Sequence, residues 1–305
     1  MAVQPEHAMT RALHIVAGKL YGGVETFLLT LARFSESCPA LDQQFAVCFD
    51  GRLKHELTAA GATVHELGAV RVRNPLLIWK ARNRLRNLID ENQIDVVICH
   101  MAWAQAIFGP AVRTAHKSLV FWMHDPATGS WLERLAGRTT PDLAICASAF
   151  TAATLPKLYP RASAEVIAYP LAPPPTFAPR DREAIRREFG TAADAIVSVQ
   201  ACRLEEWKGQ RVHLQALAHL RDVPGWVCWI VGGAQRPHEE KLLNTLKSDA
   251  LRFGIGDRVR FVGQRADVSR ILFAGDIHCQ PNIEQEPFGL SFIEAMHAQL
   301  PIVTS

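Results

Sequence analysis

The sequence alternates short apolar runs with longer amphipathic segments along almost its whole length. In the first half, residues 12–18 form an apolar run, and residues 24–34 follow with apolar residues at the three- and four-residue spacing that is typical of a helix. Further apolar runs, each too short for an ordinary helix, are FAVCFD, DVVICH, LVFWMHD and DLAICAS. Strands that alternate with helices form a parallel sheet with helices on both faces. The pattern therefore predicts a doubly wound α/β fold.

A proline-rich segment interrupts this alternation at residues 169–180, which contain five prolines. Proline lacks the amide hydrogen that helix interiors and central strands require, so this segment is predicted to be a linker. Beyond it, strands are predicted at 196–200, 226–233, 258–263 and 276–281, with helices between them. We therefore predict domains over residues 1–170 and 181–305, joined by a linker at 171–180. Because such sheets bind ligands at the carboxyl ends of their strands, we expect the two domains to face a cleft.

The last five residues, PIVTS, are typical of the start of another strand followed by a loop. We therefore expect the second domain to be incomplete, and we expect its stability and activity to be impaired.

Composition excludes several classes of protein. The net charge of +3 is too close to neutral to indicate a nucleic-acid partner. No apolar run reaches the roughly 18 residues of a membrane span, and residues 1–10 lack the segments of a signal peptide. The seven cysteines have no CxxC spacing, so they predict no zinc site and suit a reducing cytosol. A cytoplasmic location is predicted.

Two glutamates, Glu286 and Glu294, lie in the segment EPFGLSFIE. Pro287 disfavours helical backbone at Glu286, which places this residue in the loop before a helix and Glu294 in the first turns of that helix. Carboxylates at these places can accept hydrogen bonds from sugar and ribose hydroxyls, and the amides at the start of the helix can bind phosphate. Those amides belong to Phe288, Gly289 and Leu290. Alternatively, the acids only complement the helix dipole.

Two cations, Arg203 and Lys208, follow the predicted strand IVSVQ. At the end of a strand they can neutralise the charge on a departing diphosphate. The alternative is a solvated turn with internal ion pairs.

A third segment, residues 18–25, contains Gly22 and Gly23 between the first predicted strand and helix. Glycines allow the backbone to approach a ligand, and the helix that follows favours anions. The segment is neither GxGxxG nor a P-loop, which disfavours a dinucleotide or ATP site of those types. It is also compatible with a simple glycine turn.

In combination, these segments resemble a known family. GGVE, RLEEWKG, VGQRADVSRILFAGD and EPFGLSFIEAM occur in this order in retaining glycosyltransferases of family 4, which have the GT-B fold of two Rossmann-like domains. The resemblance extends from Leu13 to Ser305, and the glutamate-containing segment is its most specific part.

The resemblance implies an acceptor-binding first domain and a second domain that binds a nucleoside diphosphate sugar. It implies contacts of Arg203 and Lys208 with the diphosphate, of Glu286 with the donor sugar and of Glu294 with the ribose. Gly22 and Gly23 would approach the donor phosphate across the cleft.

Two histidines end the apolar runs DVVICH and LVFWMHD. His124 matches the position of a family histidine near the reacting centre, and it is predicted to be catalytic. For His100 we expect a structural role.

Residues 71–86 carry six basic groups beside Leu76 and Trp79. A basic amphipathic helix of this kind can lie on an anionic membrane, and peripheral contact with a membrane is one interpretation. The alternative is a helix that packs on its own domain with solvated arginines.

The sequence as a whole predicts transfer of a sugar, with retained anomeric configuration, from a nucleotide sugar to a glycan, a lipid-linked or a small-molecule hydroxyl. No acidic pair of the DxD type follows a predicted strand, so we expect neither a metal nor a cofactor. The competing hypothesis is a protein, or an inactive fragment, that binds nucleotide sugars without catalysing transfer.

Overall fold

The computed structural model describes residues 9–173 and 175–305. Two parts of the chain lie outside the described residues. They are residues 1–8, where no signal peptide is predicted, and Pro174, within the predicted linker. The chain divides after Leu171 into two compact units. In the part of the chain that the structure describes, no helix is long and apolar enough to cross a membrane.

The first unit contains a seven-stranded parallel sheet with the order β3-β2-β1-β4-β5-β6-β7. Its strands are β1 (Thr10–Val16), β2 (Leu41–Val47), β3 (Thr63–Glu66), β4 (Val96–His100), β5 (Ser118–Met123), β6 (Leu143–Cys146) and β7 (Ser163–Val166). Its helices are α1 (Gly23–Arg33), α2 (Arg52–Ala59), α3 (Pro75–Glu91), α4 (Met101–Thr114), α5 (Trp131–Ala136) and α6 (Ala149–Thr154).

The second unit contains a five-stranded parallel sheet with the order β10-β9-β8-β11-β12. Its strands are β8 (Ile196–Ala201), β9 (Trp226–Val231), β10 (Val259–Gly263), β11 (Ile277–Gln280) and β12 (Ile302–Thr304). Its helices are α7 (Pro179–Glu188), α8 (Gln210–Ala218), α9 (Pro237–Arg252), α10 (Val268–Ala274) and α11 (Leu290–His297).

The two sheets confirm the predicted doubly wound α/β class, because all pairings between their strands are parallel. One boundary differs from the prediction. Helix α7 begins at Pro179, inside the segment predicted as linker, because proline suits the first turn of a helix, where no amide hydrogen is needed.

The strand order reverses once in each sheet, between β1 and β4 in the first unit and between β8 and β11 in the second. The helices that follow these two pairs of strands pack on opposite faces of their sheet, which opens a crevice outside the carboxyl ends of the strands. Open α/β sheets bind their ligands at this point. The loops after β1, β4, β8 and β11 are therefore the candidate ligand-binding loops.

Asp276, which precedes β11, connects three elements at the opposite end of the second sheet. Its carboxylate accepts hydrogen bonds from the Val197 amide at 2.7 Å, from Arg186 Nη2 at 2.6 Å and from Arg182 Nη2 at 2.5 Å. Burial alone would raise the pKa of Asp276, but the hydrogen bonds outweigh it and the pKa is lowered. These bonds fasten α7 to the starts of β8 and β11, the two strands beside the reversal.

We expect Asp276→Asn to lower the free energy of unfolding at pH 7 by about 2 kcal/mol, because two arginines lose their charged partner. The pKa of Asp276 is depressed in the folded state, so its stabilisation is present above its ordinary value of 3.8 and is lost as the pH falls through the folded pKa. The difference between wild type and variant should therefore shrink below about pH 4. Urea unfolding at a series of pH values measures this.

Asp222→Asn is the matched control, because the side chain of Asp222 is 89% exposed and pairs with its neighbour Arg221, which is also exposed. It should change the free energy of unfolding by less than about 0.5 kcal/mol. Equal effects of the two substitutions would contradict the anchoring role of Asp276.

Candidate functional site

The loops after β8 and β11 meet at the reversal of the second sheet. The amide of Ile283 donates to the carbonyl of Trp207 at 2.8 Å, which joins one loop to the other. Gly209 has φ +71°, and a Cβ at this position would lie 1.7 Å from the carbonyl oxygen of Pro281. Only glycine fits both this conformation and this distance. The close approach brings residues far apart in the sequence into one site.

Lys208 and Glu286 form the centre of this site. The Lys208 ammonium donates to Glu286 Oε2 at 2.6 Å, and both side chains are mostly buried. Asn282 Nδ2 donates to the same oxygen at 2.9 Å, and Gln280 Nε2 lies 3.3 Å from it. Among the residues that the structure describes, the hydrogen bonds to this carboxylate therefore end on Oε2, and Oε1 remains for an incoming hydroxyl.

The Lys208 ammonium has hydrogens beyond the one it donates to Glu286. An ammonium carries three donors, so two remain for anionic oxygens. The nitrogen also lies 3.9 Å from the centre of the Trp207 ring, where the negative face of the indole stabilises the cation. The site can therefore bind an anion and a hydroxyl side by side.

The second cation of the prediction, Arg203, makes a different ion pair. Its Nη1 lies 3.1 Å from Glu205, in the same loop, and its side chain is about one-third exposed. Its backbone carbonyl accepts from Gln210 Nε2 at 2.8 Å. The structure thus brings Lys208 to Glu286, whereas Arg203 is held beside Glu205.

The start of α11 follows the loop of Glu286. Gly289, the residue before the helix, has φ +80°, and a Cβ there would lie 2.5 Å from the Phe292 ring and 3.0 Å from Glu286 Cγ. Leu290 is the first helical residue, and Phe288 is half-buried. The predicted phosphate-binding amides therefore directly follow the acidic loop.

Glu294 lies on α11, one turn into the helix. Burial raises the pKa of its carboxyl to about 7, because an ionised carboxylate is poorly solvated at this place. A carboxyl that titrates near neutral pH can both donate and accept hydrogen bonds, which suits a pair of vicinal hydroxyls.

In the first unit, His124 belongs to a row of buried side chains in and just after the last residues of the strands. His14 Nδ1 lies 2.9 Å from His100 Nε2, and His100 Nδ1 lies 2.8 Å from His124 Nε2. His124 Nδ1 is hydrogen-bonded to the hydroxyl of Tyr169. Both ring nitrogens of His124 are therefore engaged. Direct contact with a substrate would require one of these bonds to open.

The histidines of this row are neutral at physiological pH. Burial lowers the pKa of His14 to about 4 and that of His124 to about 3. Burial also lowers the pKa of His100 well below its ordinary value, and the two neighbouring histidines add to this effect. Burial raises the pKa of Tyr169, so its hydroxyl stays protonated.

Gly22 and Gly23 lie at the start of α1 in the first unit, after β1. The Gly22 amide donates to the Glu25 carboxylate at 2.9 Å, which satisfies one of the amides at the helix start. Their approach to a donor phosphate stays a prediction.

Several polar residues around these centres were not predicted from the sequence. Gln280 and Asn282 precede the acidic loop, and they could have been noticed as amides at the end of a strand. His14 and Tyr169 belong to no motif, and only the fold places them beside His124. The residues within the described ranges include no cluster of three or more histidine, cysteine, aspartate or glutamate side chains that could hold a metal ion.

Two family models match the chain. The model described as Glycosyltransferase Family 4 matches residues 21–208, and the model described as Glycosyl transferases group 1 matches residues 181–305. Together they extend over most of the two units.

Curated relatives are glycosyltransferases as well. The lipopolysaccharide core biosynthesis glycosyltransferase LpsE of Rhizobium meliloti is 31% identical over 121 residues, which are 39% of this chain and 32% of LpsE. The chain thus covers about a third of the length of this relative. The GDP-mannose-dependent alpha-(1-6)-phosphatidylinositol monomannoside mannosyltransferase of Mycolicibacterium smegmatis is 28% identical over 296 residues, which are 86% of this chain and 75% of that protein.

Among solved structures, HepE of Anabaena, crystallised with UDP and glucose, superposes with a TM-score of 0.82 at 24% identity. The similarity covers 97% of this chain and 80% of HepE. The family models, this structural similarity and the two parallel sheets, each with one reversal of strand order, show that the chain belongs to glycosyltransferase family 4 and has the GT-B fold.

Proposed function

We propose that this chain transfers a sugar from a nucleoside diphosphate donor to a hydroxyl acceptor, with retention of the anomeric configuration. The observation that carries the proposal is the contact between Lys208 and Glu286, which presents a cation and a carboxylate oxygen at the reversal of the second sheet. HepE was crystallised with UDP-glucose, and the mycobacterial relative depends on GDP-mannose. These relatives support a nucleotide sugar as donor and leave its base and sugar to be determined.

Lys208 would bind the donor diphosphate. The charge on the departing diphosphate increases as the bond to the sugar breaks, and a fixed ammonium stabilises that charge more strongly in the transition state than in the ground state. Arg203 would add a second cation once it exchanges Glu205 for phosphate. The amides of Phe288, Gly289 and Leu290 would complete the phosphate site.

Glu286 would hold the donor sugar. Its Oε2 is occupied by Lys208 and Asn282, so a sugar hydroxyl would donate to Oε1. This arrangement orients the sugar with respect to the diphosphate, and orientation is a large part of the catalysis of group transfer. Glu294 would accept hydrogen bonds from the ribose hydroxyls.

In the proposed reaction, the bond between the anomeric carbon and the diphosphate oxygen breaks, and the electron pair leaves with the nucleoside diphosphate. The acceptor oxygen bonds to the same face of the anomeric carbon, so the configuration is retained. The departing phosphate oxygen takes the acceptor proton. This path needs no protein nucleophile and no metal, so we propose that transfer persists in the presence of a chelator such as EDTA.

The catalytic role of His124 stays a prediction. Since both of its ring nitrogens are engaged, contact with a substrate would require that the bond to His100 or to Tyr169 opens. Alternatively, the histidine would act through the hydroxyl of Tyr169.

The alternative function is binding of a nucleotide sugar without transfer. The two hypotheses differ in turnover rather than in affinity. A chain that binds a donor, yet releases no nucleoside diphosphate with any acceptor, would support the alternative.

We expect Lys208→Ala to reduce transfer by at least about 100-fold, because the diphosphate loses its fixed cation. Release of nucleoside diphosphate from UDP-, GDP- and ADP-sugars measures this, and thermal shifts with the same compounds identify the donor. Glu286→Gln keeps the shape of the side chain, and it should reduce transfer to a similar degree because an amide binds a sugar hydroxyl more weakly than a carboxylate does.

Lys241→Ala is the control, because Lys241 is an exposed lysine on α9. It should leave transfer unchanged. Wild-type activity of Lys208→Ala would overturn the assignment of the diphosphate site.

The pKa of Glu294 predicts a pH dependence of donor affinity. The ionised carboxylate is the better acceptor for ribose hydroxyls, and it forms as the pH rises through about 7. We therefore expect affinity for a nucleotide sugar to increase between about pH 6 and 8. Calorimetry with an intact nucleotide sugar is suitable, because its diphosphate does not titrate in this range.

Glu294→Gln should bind the donor more weakly at high pH, and its affinity should not change with pH. If the affinity of this variant still increased with pH as it does in the wild type, Glu294 would be excluded as the titrating group.

Peripheral contact with a membrane is a further proposal. Helix α3 packs through an apolar side that includes Leu85 and Ile89, whereas Leu76 and Trp79 are 70% and 60% exposed. Exposed basic side chains on and before the helix surround them, among them Arg71, Arg73, Lys80 and Arg84. Apolar side chains within a basic surface favour anionic lipid. The mycobacterial relative is named for a phosphatidylinositol-linked acceptor, which agrees with a membrane substrate.

We expect the double substitution Leu76→Ser and Trp79→Ser to reduce co-sedimentation with phosphatidylglycerol vesicles, because the apolar contact with the lipid is lost. Leu251→Ser is the matched control, since Leu251 is 73% exposed in the second unit. Wild-type protein that stays in the supernatant with these vesicles would contradict the membrane proposal.

A further inference from the structure

A series of hydrogen bonds connects Ser198, His213 and Gln200 to the backbone of Lys208 in the second unit. Gln200 Nε2 donates to the backbone carbonyl of Lys208 at 2.8 Å. Gln200 Oε1 lies 2.9 Å from His213 Nδ1, and His213 Nε2 lies 3.2 Å from Ser198 Oγ. Gln200 is fully buried and His213 is 2% exposed. None of these three side chains takes part in the function proposed above.

The donor and the acceptor of every hydrogen bond in this series follow from the Lys208 carbonyl at its end. The carbonyl of Lys208 can only accept, so Gln200 must present its NH₂ group to it and its oxygen to His213. The hydrogen of the neutral imidazole therefore lies on Nδ1, and the bare Nε2 accepts from the Ser198 hydroxyl. Burial lowers the pKa of His213 to about 4, and the nearby His278 adds to this effect. The ring is therefore neutral near pH 7 and carries a single hydrogen.

The local backbone explains why the Lys208 carbonyl needs this partner. Lys208 is the last residue of a short 3₁₀ turn, Glu206–Lys208, and the next residue, Gly209, is left-handed. The chain turns away at Gly209 before α8 begins, and the carbonyl of Lys208 is held by a side chain from β8. Such a bond fixes the peptide plane from which the ammonium extends toward Glu286.

The three side chains come from a strand and a helix. Ser198 and Gln200 are two residues apart on β8, so their side chains point to the same face of the sheet. His213 lies on α8, which packs over that face. The strand and the helix thus set the position of the Lys208 carbonyl through side chains rather than through the loop itself.

We propose that His213 is a positioning residue for Lys208: by orienting the Gln200 amide, it fixes the place from which the ammonium binds the donor diphosphate. This inference rests on the proposed function. His213 touches no substrate, and its effect on transfer passes through Gln200 and the backbone of Lys208.

The substitutions His213→Leu, His213→Asn and Gln200→Glu test the proposal. Leucine removes the hydrogen bond, whereas the amide of asparagine can place an N–H near the position of Nδ1 and should restore most of the function. Gln200→Glu is nearly isosteric but replaces the donor to Lys208 with an oxygen. We expect His213→Leu and Gln200→Glu to weaken nucleoside diphosphate binding about fivefold, the equivalent of one hydrogen bond.

A double-mutant cycle separates positioning from general damage. If His213 acts through Lys208, His213→Leu should weaken binding in the wild-type background and have no further effect in Lys208→Ala. Additive losses in the two backgrounds would overturn the proposal. Leu217→Ala is the control for packing, since Leu217 is buried on the same helix; it should lower stability and leave the affinity of the folded protein unchanged.

Nitrogen-15 NMR of the histidine side chains provides a readout that does not depend on activity. The proposal requires the Nδ1–H tautomer for His213 at neutral pH, and observation of the Nε2–H tautomer or of an imidazolium would overturn it. The proposed function can fail separately. If wild-type protein binds no nucleoside diphosphate, the function is wrong, whereas wild-type binding that His213→Leu leaves unchanged refutes only the positioning role.

Discussion

The contact between the Lys208 ammonium and the Glu286 carboxylate organises the second unit. The two residues are 78 positions apart, and the neighbouring strands β8 and β11 bring them together. A mostly buried ion pair is stable only when further hydrogen bonds offset the loss of solvation, and Asn282 and Gln280 supply them. The pair also depends on Gly209, because any larger residue there would collide with the backbone of the opposite loop.

Both units place buried polar side chains at the carboxyl ends of their strands, but with different consequences. In the first unit, the row from His14 to Tyr169 engages both nitrogens of His124, so the ring is held rather than exposed. In the second unit, donor and acceptor are fixed in each hydrogen bond from Ser198 to Lys208, because the series ends on a backbone carbonyl that can only accept. In a poorly solvated interior, an unpaired polar group is costly, and such rows therefore hold their members in well-defined positions.

Much of the fold could be predicted from apolar runs, and the exceptions are instructive. The five strands expected in the second unit are all present, and they form one parallel sheet. In the first unit, β3 and β7 were missed. Both are edge strands, and every residue of β7 is exposed, so neither needs the apolar residues by which a buried strand is recognised. An apolar run marks a strand that is buried, whereas an edge strand is held mainly by backbone hydrogen bonds and needs no such run.

By itself, the sequence determined the doubly wound class and the order of the motifs, because local periodicity and the placement of glycine and proline reflect local backbone geometry. It also singled out Lys208, which follows a predicted strand, and Glu286, which Pro287 places in the loop before a predicted helix. Only the tertiary structure decided that these two meet while Arg203 pairs with Glu205, and that Gln200 and His213 support the lysine. The physical reason is that a hydrogen bond is sensitive to direction and to differences of a few tenths of an ångström in distance. Both are set by the packing of strands and helices that are distant in the sequence.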